Sequence, residues 1–362
     1  MSIWKQVSTT VLGTVLTVVG TGGAAKAIVT TGDPNDYIVP LEDYSGVTLL
    51  NFSNSRGEPE GRCTGSLLTG GEYILTAAHC ITDEYGNLKR INTQAIFGFP
   101  SEPQISLIDP NGYFIAPGWF GELNSGFSIG NDLAVLKLTE PAPTGLEQYD
   151  IYRGSEEIGQ TFSVVGYGQT GTGDTGATTF DGQKRQGENL FDTGGEIFTP
   201  LWNQLIPDFA GVAPGSQLVF DFDNGKPEND AMGVHFSRFD TGLGLSEVSI
   251  APGDSGGPSF IGNSIAGVTS YLFTDAAVFP DGTVVPVFPD GQITDVNRQL
   301  EPNASFGEFA VATRVANYAG FVDDVVAGQV APAKSVPEPS SIVGIIAFSL
   351  GWGFWKSRKK PV

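Results

Sequence analysis

The strongest constraint on the fold is the lack of helical spacing over most of the chain. β-branched and aromatic residues gather in short runs separated by turn residues: Val47–Phe52, Tyr73–Ala77, Ala134–Leu138, Thr161–Val165, Gln217–Phe222, Ile265–Ser270 and Phe309–Val315. Such runs read as the strands of an all-β sandwich or barrel. Only Val315–Ala327 departs from this. There Val315, Tyr318, Val322 and Val326 recur at helical spacing, as on the buried face of an amphipathic helix. The stretch from residue 28 to residue 330 exceeds the roughly 200–250 residues that one all-β unit commonly uses, so two barrels with insertions are expected. Gly168–Gly195, rich in Gly, Thr and Asp, reads as a surface loop. Phe273–Asn303 carries Pro280-Asp281-Gly282 and Pro289-Asp290-Gly291 turns and reads as an inserted hairpin or loop.

Composition removes several function classes. Nineteen Lys and Arg face 40 Asp and Glu, a net charge of −21. Nucleic-acid phosphates need the opposite sign, so nucleic acid is not an expected partner. Two Cys and two His are too few for an iron–sulfur cluster or a Cys/His zinc site. No cofactor and no metal is expected. Asp221-Phe222-Asp223-Asn224-Gly225, with Glu228 and Asp230, groups hard oxygen donors. Calcium takes six to eight such oxygens, so a calcium site is the alternative here; the spacing is not that of an EF-hand loop, and the segment reads as a solvated acidic loop. Cys63 and Cys80 are most simply one disulfide, two free thiols being the alternative.

The two ends stand apart from the folded body. Residues 1–27 have a secretory signal's organisation: Lys5, then the apolar or small run Val7–Gly20, then the small-x-small site Ala25-Lys26-Ala27. Cleavage there by a signal peptidase makes Ile28-Val29 the new N-terminus. Residues 331–362 form a linker, then Pro337-Glu338-Pro339, an apolar run Ile342–Trp355 and a basic tail ending in Lys359-Lys360. The run falls short of the roughly 17–25 residues of a comfortable membrane span, and the basic tail favours the cytoplasmic side. The order of these parts resembles the PEP-CTERM sorting signal. That resemblance implies a bacterium with an exosortase-type processing enzyme and removal of a short transmembrane helix; a plain membrane anchor is the alternative. In both readings the body reaches the cell envelope or outer surface and meets the membrane only through its terminal segments. An oxidising compartment also suits a Cys63–Cys80 bond.

Three motifs carry chemistry. His79 stands in Thr76-Ala77-Ala78-His79-Cys80, Asp132 in Asn131-Asp132-Leu133-Ala134, and Ser255 in Gly253-Asp254-Ser255-Gly256-Gly257-Pro258. A serine becomes a useful nucleophile when a neighbouring base takes its proton. Histidine titrates near neutrality, and a carboxylate can hold its tautomer. Gly253-x-Ser255-x-Gly257 also fits the nucleophile elbow of α/β-hydrolases, but that fold places its histidine after the serine. Both His79 and His235 precede Ser255. A subtilisin order needs an acid before His79; Asp33, Asp36 and Asp43 lack the strand–turn–helix setting. The order His79, Asp132, Ser255 matches the chymotrypsin-like proteases. His235 reads as a loop or core histidine.

With Thr64-Gly65-Ser66-Leu67, Val165-Gly166-Tyr167-Gly168, Gly267–Tyr271 and Thr313–Val322 added, the body resembles a bacterial trypsin-like, chymotrypsin-fold serine protease. The resemblance implies two six-stranded antiparallel β-barrels, at 28–155 with His79 and Asp132 and at 156–330 with Ser255 and a terminal helix. It implies His79 as general base, Asp132 as its orienter and Ser255 as nucleophile. The backbone N–H groups of Gly253 and Ser255 would form the oxyanion hole, and Cys63–Cys80 would fix the histidine loop. Ile28 would pair with Asp254 as the activating N-terminus, although Thr30-Thr31 stand where the family usually has glycine. Ser249 would lie at the base of the substrate pocket, without a trypsin's acid, and Ser270, Tyr271 and Leu272 would run along it. Ala251 stands where many relatives have a pocket cysteine. The expected activity is an exported serine endopeptidase acting on protein or peptide. The alternative is a catalytically silent binding module that keeps the protease fold.

Overall fold

A computed structural model describes residues 28–334, apart from 55, 90–91, 123–129, 206–208, 210, 279–283 and 300–301. The signal and sorting segments read from the sequence lie outside the described residues. Among the described residues no helix is long and apolar enough to cross a membrane.

After a short N-terminal strand, β1 (Val29–Thr30), come β2 (Val47–Ser53), β3 (Pro59–Leu67), β4 (Tyr73–Thr76), β5 (Asn92–Phe97), β6 (Gln104–Ile115) and β7 (Ala134–Leu138). These last six close into a barrel in the order β2-β3-β4-β7-β6-β5. Closure leaves no unpaired edge. Leu50, Leu67, Ile74, Leu75, Val135 and Leu136, all fully buried, fill its interior and underside. The strands missed by sequence reading include β3, whose first half, Pro59 to Arg62, is exposed and polar. Pairing with β2 and β4, not an apolar run, makes it a strand.

The second half holds β8 (Asp150–Ile151), β9 (Thr161–Gly166), β10 (Thr170–Thr172), β11 (Gly176–Thr179), β12 (Arg185–Leu190), β13 (Thr193–Gly194), β14 (Gln217–Asp221), β15 (Val248–Ser249), β16 (Pro258–Ile261), β17 (Ser264–Phe273), β18 (Ala276–Val278), β19 (Val284–Pro286) and β20 (Phe309–Arg314). Its main sheet runs β12-β9-β16-β17-β20-β14-β13, with β8 added on β17. The sheet curls until its edge strands β12 and β13 meet as consecutive pieces of chain, joined through Phe191 and Asp192. The ring is thus completed by one bent stretch of backbone, where the first barrel closes by a ladder. Stacked Phe162 and Phe191, 3.9 Å apart, with Phe220 edge-on to both, fill the bend.

Gly168–Gly195 is not a surface loop. β10 and β11 join β1 and β15 in a four-stranded sheet, and β12 lies in the main sheet. Arg185 is among the largest fully buried side chains, forked onto Asp181 at 2.9 and 2.8 Å. Glycine and threonine give this segment little strand signal of its own; partners distant in sequence supply it. The inserted hairpin is present as β18–β19. Short helices α1 (Thr199–Leu205) and α2 (Ala231–Phe236) precede the terminal α3 (Ala319–Val326). A 3₁₀ turn, Val315–Tyr318, leads into α3. The buried face there is Val315, Tyr318, Val322 and Val325; Val326, expected on it, is 45% exposed.

Candidate active site

One ladder of the first barrel delivers two of the three expected residues. β4 pairs antiparallel with β7, Thr76 opposite Ala134. The chain leaving β4 and the chain entering β7 therefore lie at the same end. His79 sits just beyond Thr76 and Asp132 just before Ala134. The His79 backbone N–H donates to Asp132 Oδ1 at 2.9 Å, and its Nδ1 lies 2.7 Å from Asp132 Oδ2. A carboxylate can only accept, so Nδ1 carries the proton and Nε2 is left as the acceptor. Burial resists charging of His79, but the charge of Asp132 and its hydrogen bond outweigh that and hold the imidazole above its ordinary pKa.

Both halves of the molecule hold Asp132. Ser270 Oγ donates to Asp132 Oδ2 at 2.6 Å, and Thr313 Oγ1 donates to its carbonyl oxygen at 2.9 Å. Ser270 is the extra residue of a bulge in β17: Thr269 faces Ala312 and Tyr271 faces Val311. A bulge re-aims a side chain, and this one turns the Ser270 hydroxyl onto Asp132. Asn131 adopts φ +69°. Its Nδ2 donates to Gly118 O at 3.1 Å, and its Oδ1 accepts from Tyr318 Oη at 2.8 Å. Thr313 and Tyr318 are legible in the sequence only as members of a strand and a helix face.

Ser255 comes from the turn before β16 and is pinned to the first barrel. Its carbonyl accepts from Thr64 N–H at 2.8 Å, while Thr64 Oγ1 donates to Gly253 O at 3.0 Å. Thr64 follows Cys63, which forms the expected disulfide with Cys80. Cys80 Sγ lies 3.9 Å from His79 Nε2 and 3.7 Å from Ser255 O. The disulfide is thus the common neighbour of the histidine and serine loops. Cys63, His79 and Cys80 lie close together, but bonded sulfurs offer no thiolate to a metal.

Glycine is required in this turn. Gly253 has φ +99° and Gly256 φ +81°, a region that suits a residue without Cβ. A Cβ on Gly256 would meet Thr76 Oγ1 at 2.0 Å. Among the described residues, neither the Gly253 nor the Ser255 N–H has an acceptor.

Asp254 is fully buried. Its Oδ2 accepts from Ile28 N at 3.1 Å and Ala251 N at 2.9 Å, and its Oδ1 from Gly168 N at 2.7 Å. Burial pushes its pKa up to about 6, against the pull of these donors. β1 brings Ile28 there by pairing parallel with β10 and antiparallel with β15, Val29 opposite both Gly171 and Ser249.

The expected pocket residues divide. Ser249 is fully buried in β15, its hydroxyl without a partner. Tyr271 is buried beside Phe273, at 6.3 Å between rings. Leu272 packs where two apolar clusters of the second half meet.

Two acidic groupings lie away from these residues. Asp221, Asp223 and Asp230 are buried, at 4%, 4% and 1% exposure, which corrects the reading of a solvated loop. Burial first, then mutual repulsion, raises the pKa of Asp221 and Asp223. His235, in α2, is enclosed between Asp290 Oδ2 at 2.7 Å and Asp275 Oδ2 at 2.9 Å and stacks on Phe288 at 4.0 Å. It is a core histidine, held by three residues of the Phe273–Asn303 segment.

Residues 42–186 match the family model described as Trypsin. That span includes His79 and Asp132 and ends before Ser255. No curated protein matches in sequence. A similar solved structure is that of neuropsin, a serine protease expressed in the limbic system of mouse brain. It is 14% identical, covers 80% of this chain and 98% of its own, and has a TM-score of 0.50. The fold is chymotrypsin-like. At that identity the likeness speaks for the chymotrypsin-like architecture alone, while the sequence match places a trypsin-like domain over the first barrel and the opening strands of the second half.

Proposed function

We propose that the chain is an exported serine endopeptidase that hydrolyses peptide bonds through Ser255, His79 and Asp132. The observation that carries this reading is the double hydrogen bond from His79 to Asp132, 2.9 and 2.7 Å, beside a serine turn tied to the same disulfide. His79 Nε2 takes the Ser255 proton as Oγ attacks the peptide carbonyl. Asp132 stabilises the imidazolium so formed. The Gly253 and Ser255 N–H groups stabilise the tetrahedral oxyanion. The imidazolium returns its proton to the leaving amine, and water attacks the acyl-enzyme in a second round of the same steps. Ser249 brings no negative charge to the region of the substrate pocket, which favours an uncharged side chain before the cleaved bond. Removal of residues 1–27 by signal peptidase would free Ile28, and the C-terminal segment would be cut by an exosortase-type enzyme.

The test is the intact mass of the exported protein before and after a fluorophosphonate probe. One adduct is expected on the wild type and none on Ser255→Ala. A well-folded wild type without an adduct would favour the silent binding module and end the protease reading. Ser270→Ala should act through Asp132. A hydrogen bond to a charged group contributes about 1.5–3 kcal/mol, so kcat should drop about tenfold or more, with KM unchanged. Ser270→Thr, which keeps the hydroxyl, should recover most of the rate.

A further inference from the structure

Between β14 and β15 the chain inserts residues 222–247. The insertion gathers acids in the interior. Asp221 ends β14, Asp223 lies two residues on, and Asp230 caps α2. One carboxylate oxygen from each lies within 4.8 Å of the other two. Among the described residues none of the three forms an ion pair. Bringing three buried carboxylates together without a counter-charge costs desolvation and repulsion at once.

Their hydrogen bonds do not resolve this. Asp221 Oδ2 accepts from Met232 N at 2.6 Å. Asp230 accepts from Gly233 N and, at 3.2 Å, from Asp240 N. Glu247 Oε1 accepts the Asp223 backbone N–H at 2.7 Å and fastens the chain there. The Asp223 carboxylate itself is different: its Oδ1 is buried and has no hydrogen-bond partner. A carboxylate 4% exposed, with one buried oxygen unpartnered and an oxygen within 4.8 Å of two other acids, lacks a donor that such a group needs.

We propose that Asp221, Asp223 and Asp230 bind one calcium ion, which cross-links the end of β14, the following loop and the start of α2. The donor set is oxygen only, which suits a hard cation and not zinc or copper. Two oxygens each about 2.4 Å from one calcium can be at most about 4.8 Å apart, and the three carboxylates satisfy that bound. Magnesium keeps several waters and a tight octahedron; three carboxylates this deeply buried favour the larger, more readily dehydrated ion. The site would brace the specificity region from behind. Asn189 Nδ2 donates to both Asp221 O and Val248 O, at 2.8 and 2.9 Å, so the strand end carrying a ligand is bonded to β15, the strand that pairs with Val29.

The test uses the full chain carrying Ser255→Ala, so that binding is read without catalysis and stands or falls separately from the protease reading. After EDTA treatment, calorimetric titration with calcium chloride should give one ion per chain. The dissociation constant should be roughly 10⁻⁴ M or tighter, as in extracellular calcium modules. Calcium should raise the melting temperature and EGTA should reverse the rise. Asp223→Asn keeps the shape and removes the unpartnered charge; it should weaken calcium at least tenfold. In EDTA it should melt no lower than its parent, since one repelling charge is gone, and this separates lost binding from lost folding. Glu60→Gln, on the exposed first half of β3 in the other barrel, should bind like the parent. No binding by the parent, or equal binding by the Asp223→Asn chain, would overturn the site. Magnesium binding as tight as calcium would overturn the assignment of the ion.

Discussion

Asp132→Asn should lower kcat by roughly 10⁴-fold with the fold intact. Asp132 accepts three donors: the His79 N–H, His79 Nδ1 and the Ser270 hydroxyl. Asparagine has one acceptor oxygen and would turn an NH₂ group toward at least one of those donors. The imidazole would then lose either its orientation or its tautomer. The charge of Asp132 is also what raises the His79 pKa against burial. Without it, burial prevails and the histidine deprotonates more readily. The acidic limb of the kcat/KM profile should therefore shift to lower pH in the variant. Steady-state kinetics on a peptide ester across pH 5–9 reads both effects. An unchanged kcat would remove Asp132 from the mechanism.

Asp254→Asn should abolish measurable hydrolysis, because the turn proposed to form the oxyanion hole hangs on that carboxylate. Asp254 binds Ile28, Ala251 and Gly168 from three directions, and its neighbours in sequence are Gly253 and Ser255. Loss of one oxyanion donor costs about 10²–10³-fold in kcat, and here the turn carrying both would be released. With residues preceding Ile28 still attached, its nitrogen is an amide and brings no positive charge to Asp254. Its pKa is then raised to about 6. In that window the folded state holds a proton that the unfolded state has already lost, so stability falls as pH rises from the ordinary aspartate value to about 6. A chain beginning at Ile28 offers an ammonium instead, which favours the charged carboxylate and should reverse that slope. Melting curves at pH 4 and pH 7 for the two chain lengths test this. The same slope in both would mean that the free amine does not reach Asp254.

Local chemistry makes much of the site legible in the residues themselves. Histidine is scarce in this chain, so the order of His79, Asp132 and Ser255 separates three catalytic architectures by elimination. Strands with apolar runs, such as Ala134–Leu138 and Phe309–Arg314, are equally plain, since burial on both faces writes itself into residue type. Segments whose structure comes from distant partners are not. Gly168–Gly195 has a loop's composition and becomes strand by pairing with β1 and β9.

The same division runs through the functional residues. A residue's type and motif are carried by the sequence; the direction of its side chain depends on register. Ser270 has the motif of a pocket residue, and a one-residue bulge in β17 turns it onto Asp132. Asp221, Asp223 and Asp230 have the composition of a solvated loop, because acids usually are solvated, and the insertion folds them inward. Sequence alone determined the chain's β character and its candidate nucleophile and base, and made a Cys63–Cys80 bond the simplest pairing, which the structure contains. Tertiary structure decided what braces Asp132, where Ile28 lies and which acids are buried, because each of these depends on contacts between residues remote in the chain.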